Sequence, residues 1–192
     1  MKKWIAAFLA ALILLSGICV SAESAEDADE TASELDTFDF GDFLMTFAAN
    51  MAGITYDKTD GQVWFMLYPD YDESATAHPN INVVWSETIQ DLTQADAQEY
   101  AETVLEDIVA QVESEDIAIE NESVLSAQPD ELDGKDALTI QCVYEVEGYT
   151  VYMMQIVVSD EAFGTYIFTA SYNEPEQEEA LLEILNTITW AA

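Results

Sequence analysis

From residue 137 to residue 171 the chain spells out three consecutive strands with very short links, and this leaves few folds open to it. In 137–147, Leu138, Ile140, Cys142, Tyr144 and Val146 alternate with more polar neighbours, the period of a strand with one face in a core. Glu147-Gly148 then offers a two-residue turn. Residues 149–159 are apolar on both alternating faces, as in a strand covered from both sides, and 163–171 read as a further strand after a short polar turn. A parallel pair needs a crossover of a dozen residues or so, and no such length is available here. The three strands must therefore pair antiparallel.

The remaining elements build around that meander. Residues 62–68, Gln-Val-Trp-Phe-Met-Leu-Tyr, read as a strand covered on both sides, and 53–56 as a short strand ending at Asp60-Gly61. Residues 69–80 read as a polar loop, and 81–86 as a strand with Ile81, Val83 and Trp85 on one face. Phe38, Phe40, Phe43 and Phe47 fit a helix and a strand equally well. The clearest helix is 93–112, where Ala97, Tyr100, Ala101, Val104, Leu105, Ile108 and Val112 recur at spacings of three and four. Thr93 and Asp96 open it in the manner of a capping box. Residues 117–126 return as a strand, and 128–134, with Pro129 and Asp133-Gly134, read as a turn. A last helix spans 175–187, begun by Pro175 and an acidic first turn, and Trp190 closes the domain. The expected fold class is α+β: a central antiparallel sheet flanked by helices, an α/β/α sandwich.

Charge narrows the function. The 192 residues hold 39 Asp and Glu against four lysines and no arginine. Lys2 and Lys3 precede an apolar run over 4–20, and Val20-Ser21-Ala22 supplies small residues for cleavage before Glu23, which together form a signal peptide over 1–22. The chain is thus expected outside the cytoplasm, secreted or at the cell envelope. The alternatives are a lipid anchor on Cys19 or an uncleaved membrane anchor. Once residues 1–22 are removed, only Lys58 and Lys135 balance the acids, and the formal charge deepens from −35 to −37. Such a surface repels phosphate backbones and anionic headgroups, so nucleic acid is excluded as a partner. An envelope protein or a cation fits better, and no later stretch is apolar enough to span a membrane after cleavage. Residues 23–37, with seven acids in fifteen positions, are expected to form a disordered tether, leaving 38–192 as the folded domain. Half of the whole chain is hydrophobic, which supplies a core. After cleavage Cys142 is the last cysteine, so that core works without an intramolecular disulfide.

Three stretches carry a family resemblance. Asn80-Ile81-Asn82-Val83-Val84 resembles the Asn-Ile/Val-x-Val strand of the PsbP-like superfamily. Asp133-Gly134-Lys135-Asp136-Ala137 resembles its Gly-x-x-Ala/Tyr opening of the strand meander. The strand at 163–171 and the helix ending Leu185-Asn186-Thr187-Ile188 resemble its closing unit. The resemblance covers roughly 53–190. It implies an α/β/α sandwich and a non-enzymatic binding or assembly role. The early strand–proline–tryptophan pattern and the basic residues of that family are missing here.

The chemistry available is sparse. His78 is the only histidine and stands in Ala77-His78-Pro79-Asn80, a loop context without a Gly-x-Ser-x-Gly elbow to make it part of a triad. Cys142 alternates with apolar residues, which makes it a small buried hydrophobe rather than a nucleophile. One His and one mature Cys do not make a zinc site. Calcium takes oxygen ligands, and two acidic groups are candidates for it: Asp70, Asp72 and Glu73 on one loop, and Asp130, Asp133 and Asp136 around a turn. Neither group matches the twelve-residue calcium loop. No phosphate-cradling glycine loop is present, and no cofactor is expected. Asn121-Glu122-Ser123 is a glycosylation sequon only in a eukaryotic secretory pathway. The reading that follows is a secreted, non-catalytic binding or accessory domain. A calcium-responsive structural module is the alternative, and a carboxylate-based hydrolase is the third.

Overall fold

The computed structural model describes residues 35–48, 51–59, 62–69, 79–92, 96–114 and 116–191. The signal peptide and most of the acidic tether, with Cys19, lie outside them, as do Asp70, Asp72, Glu73 and His78.

The meander forms as the alternation demands. Strands β7 (Lys135–Val146), β8 (Tyr149–Asp160) and β9 (Gly164–Tyr172) pair antiparallel in order. Glu147 and Gly148 both have positive φ, at 49° and 82°, the conformation of a type I′ turn, whose twist matches that of the strands it joins. Asp133 and Gly134 make the same turn, at 47° and 78°, between β7 and β6 (Ile119–Leu132).

That turn corrects the sequence reading of 128–134. The strand runs on through Pro129 to Leu132. Proline lacks the ladder N–H, but β6 is an edge strand paired only with β7, so its outward N–H need not bond. On the other side of the meander β9 pairs with β5 (Asn80–Ser86), which leads through β4 (Gln62–Pro69) to β3 (Met51–Thr59). The seven strands lie in the order β3-β4-β5-β9-β8-β7-β6, all antiparallel.

One face of the sheet carries α1 (Ala97–Ser114). Asp96 caps it, its Oδ1 accepting from the N–H groups of Gln98 and Glu99 at 3.1 and 3.2 Å; Thr93 is outside the described residues. Ala101, Val104, Leu105, Ile108 and Val112 are buried against Leu138, Ile140, Cys142, Tyr144, Met153 and Val157.

The opposite face is covered by two things rather than one. Helix α2 (Glu178–Leu185) follows a 3-10 turn at Pro175–Gln177, in which Gln177 Oε1 accepts from the Glu174 N–H at 3.1 Å. Beside it lies a second sheet of β1 (Leu35–Asp39), β2 (Phe43–Ala48) and β10 (Thr189–Trp190), in the order β1-β2-β10. The four phenylalanines are therefore strand and turn residues. The first strand begins at Leu35, inside the stretch read as tether, because it has β2 to pair with. Phe40, Phe43, Met45 and Phe47 pack with Leu181, Ile184 and Leu185 onto Ile81, Val83, Tyr166 and Phe168 of the main sheet. Thr187 fastens the layer: its Oγ1 accepts from the Thr46 N–H at 2.8 Å and also lies 2.9 Å from the Thr46 carbonyl. The result is the expected α+β sandwich, with a strand layer added to the helix on one side.

Candidate functional site

One concavity among the described residues follows from how α1 meets the sheet edge. A helix resting on an edge strand leaves a groove along its outer flank. Here Leu105, Val109 and Val124 give the groove its apolar lining, and Glu102, Glu106 and Glu113 of α1 face Glu122 of β6 across it. The groove holds about 520 Å³, within the roughly 300–1,000 Å³ of ligand sites. Its β6 wall is irregular. The ladder with β7 slips between Glu120 and Ser123, where Asn121 takes a positive φ of 55°, and again between Val124 and Ser126. Leu125, the residue left over at the second bulge, is 54% exposed.

A smaller cleft lies at the same end of the sheet, lined by Asp116, Glu120, Glu145 and Glu147. At about 200 Å³ it falls below the usual ligand-site range. Glu145 is engaged there, its Oε2 accepting from Asn121 Nδ2 at 2.8 Å.

The acids singled out around the 128–134 region do not converge. Asp130 pairs with Ala137 across the hairpin and Glu131 with Asp136, so Asp130 and Asp136 stand on opposite faces of it. Asp130 Oδ2 accepts from Thr139 Oγ1 at 2.7 Å. Asp133 Oδ2 accepts from the Trp190 N–H at 2.8 Å, holding β10 in place. Among the described residues no three His, Cys, Asp or Glu side chains are grouped to hold a metal ion. No helix among them is long and apolar enough to cross a membrane.

Cys142 lies fully buried on the α1 side of the sheet, and burial pushes its thiol from 9.0 up to about 11. Folding thus favours the protonated thiol. The associated stability is present in full below pH 9 and is lost as pH rises through 11. Tyr144, raised first by burial and then by the nearby Cys142, adds to the loss from pH 10 upward. In urea titrations, Cys142→Ala is expected to show a shallower decline of the midpoint over that window than the parent. Identical slopes would mean the thiol ionises in the folded protein as it does in the unfolded one.

Sequence reasoning missed a row of buried polar residues. Asn82 pairs with Thr169, and Gln155 of β8 pairs with Thr169 from the other side; one step along, Ser171 pairs with Met153. Asn82, Gln155, Thr169 and Ser171 are all at most 3% exposed. Their same-face neighbours Val84, Ile167 and Val157 belong to the α1-side core. Among the described residues, the side-chain atoms of Asn82, Thr169 Oγ1 and Ser171 Oγ have no hydrogen-bond partner, and a buried group left so costs about 1–3 kcal/mol. The signal lay in plain view: Asn80 and Asn82 alternate with isoleucine and valine, but were read only for the apolar half of the pattern. Thr169→Val keeps the shape and removes the orphan hydroxyl. It is expected to stabilise by about 1 kcal/mol and raise Tm by roughly 2–4 °C in a thermal melt. A fall in Tm would mean that the hydroxyl is bonded.

Fold and site together define an α+β sandwich of the PsbP-like type with an acid-rimmed groove at one sheet edge. Its described residues include no histidine, and their one cysteine is buried. Among solved structures, the chain is similar to the cyanobacterial PsbP protein CyanoP of Synechocystis sp. PCC 6803. The TM-score is 0.59 at 11% identity, over 87% of this chain and 98% of that one. It is also similar to the Ran-binding protein Mog1p of Saccharomyces cerevisiae, with a TM-score of 0.50 at 12% identity over 83% and 96%. No family model and no curated protein matches the sequence. At these identities the likeness establishes the fold.

Proposed function

We propose that the mature chain is an exported, non-catalytic binding or accessory domain of the cell envelope, which engages a partner protein through the α1–β6 groove. The observation that carries this reading is the groove itself, lined by Leu105, Val109 and Val124 together with three carboxylates of α1 and Glu122 of β6. Among the described residues that line it there is no histidine and no cysteine. The signal-peptide pattern at 1–22 supports export, and the charge of the mature chain supports solubility and repulsion between copies. Mog1p, a Ran-binding protein by name, has the same fold, in keeping with a protein-docking use of it.

The test is site-specific cross-linking. A photoreactive residue at Ala110, on the groove, is expected to yield a discrete adduct in intact envelopes. The same residue at Glu183, exposed on the opposite layer, is expected to yield none. Equal labelling from both positions, or turnover of a substrate library by the purified domain, would overturn the reading.

A further inference from the structure

We propose that the occupant of the α1–β6 groove is a cationic amphipathic helix of the partner protein. This rests on the docking reading above and specifies what docks.

The first argument is the shape of the walls. A peptide can join an edge strand only where the free edge offers a regular row of N–H and C=O groups. The edge of β6 does not. It is bulged on either side of Val124 and carries Pro129 further along, devices that blunt an edge against strand addition. Recognition must therefore run through side chains, as when a helix lies in a groove.

The second argument is spacing. Glu102 and Glu106 are one turn apart and Glu113 two turns further, so the carboxylate ladder extends over about 16 Å at 1.5 Å per residue. Leu105 and Val109 run beside it, also one turn apart. A partner helix of about three turns, apolar at i, i+4 and i+7, matches that length.

The third argument is charge. Glu122 adds a carboxylate on the facing wall. Lys135, the one described lysine other than Lys58, is taken up elsewhere by Asp160 at 2.6 Å. Lysines or arginines flanking the partner's apolar stripe would lay their aliphatic stems on the floor and place their charges at the rim. A rim whose charged residues are all acids rejects anionic helices and steers cationic ones in, with strong salt dependence.

The experiment uses the mature protein and a synthetic helix of about 18 leucines and lysines patterned at the helical period. A scrambled peptide of the same composition serves as control. Two charge variants are compared: Glu102→Gln/Glu106→Gln/Glu113→Gln on the groove, and Glu161→Gln/Glu176→Gln/Glu183→Gln at exposed positions outside it. The two have the same net charge. Thermal melts confirm that both fold. The patterned peptide is expected to bind about tenfold more tightly than the scrambled one, and the groove variant to lose about tenfold in affinity while the control variant loses little. Equal binding of the two peptides, or equal loss in the two variants, reduces the effect to bulk charge and overturns the proposal. If Val109→Asp abolishes the envelope cross-link from position 110 while the groove charge variant leaves it intact, the groove remains the docking site and only the cationic helix is rejected.

Discussion

Replacing Phe43 by alanine is expected to cost about 3–5 kcal/mol of folding stability. A domain of this size has roughly 5–15 kcal/mol in total. Phe43 is fully buried and is the hub of an aromatic cluster. Its ring lies 5.3 Å from Tyr166 and 5.2 Å from Phe168, both edge-on, 5.6 Å from Trp190, and stacked at 4.8 Å on Phe40. Those neighbours come from the main sheet, the last strand and the N-terminal turn, so no single shift can fill the cavity left behind. Phe38, 37% exposed on β1, is the control, and its alanine variant should cost less than about 1 kcal/mol. Urea denaturation followed by tryptophan fluorescence measures both. If Phe43→Ala costs no more than Phe38→Ala, the N-terminal strands are not part of the core.

That variant also tests what was least legible in the sequence. Spacings of two, three and four among the phenylalanines satisfy both periods, so local pattern could not choose between helix and strand. The choice is made by β10, some 140 residues away, which pairs Thr189 with Leu44 and Trp190 with Phe43. By contrast, the meander and α1 were readable because their signals are local: alternation, a two-residue turn and an apolar stripe, although the helix begins at Ala97, capped by Asp96, rather than at 93. Pro129 misled for an instructive reason. Proline breaks a strand only where its N–H is needed, and on the outer edge of β6 it is not. The proposed docking groove was hidden more deeply. Glu102, Glu106 and Glu122 look like ordinary solvated acids in a chain with 39 of them, and only the packing of α1 against a bulged edge makes them two walls of one groove. Grouping acids by sequence distance had the opposite fault. It joined Asp130, Asp133 and Asp136, which the hairpin sends to two faces and a turn.

Gly164→Ala is expected to be as damaging as the loss of Phe43, for a backbone reason. Gly164 opens β9 with φ at 88°, a region where a side chain costs about 1–3 kcal/mol. A Cβ there would also run into the Ser86 carbonyl oxygen and press on Glu87 Cα at 3.2 Å. Neither is a flexible side-chain end that could swing away. They belong to the end of β5, tied down by the Ser86–Thr165 pairing, by Thr165 Oγ1 donating to the Thr88 carbonyl at 2.6 Å, and by Trp85 Nε1 donating to the Phe163 carbonyl. Moving that backbone adds about 1–3 kcal/mol more, for a total of about 2–6 kcal/mol. Gly148 separates the two contributions: its φ is 82°, but a Cβ would meet nothing within 4 Å, so Gly148→Ala should cost only the conformational part, about 1–3 kcal/mol. Chemical denaturation of the two variants gives the difference directly, and equal losses would mean that β5 and β9 do not approach as closely as the geometry requires. Gly164 lies in β9, with β8 and β7 between it and the groove strand β6. The fraction of Gly164→Ala molecules that still folds should therefore bind the patterned peptide with unchanged affinity, which separates damage to the scaffold from damage to the docking surface.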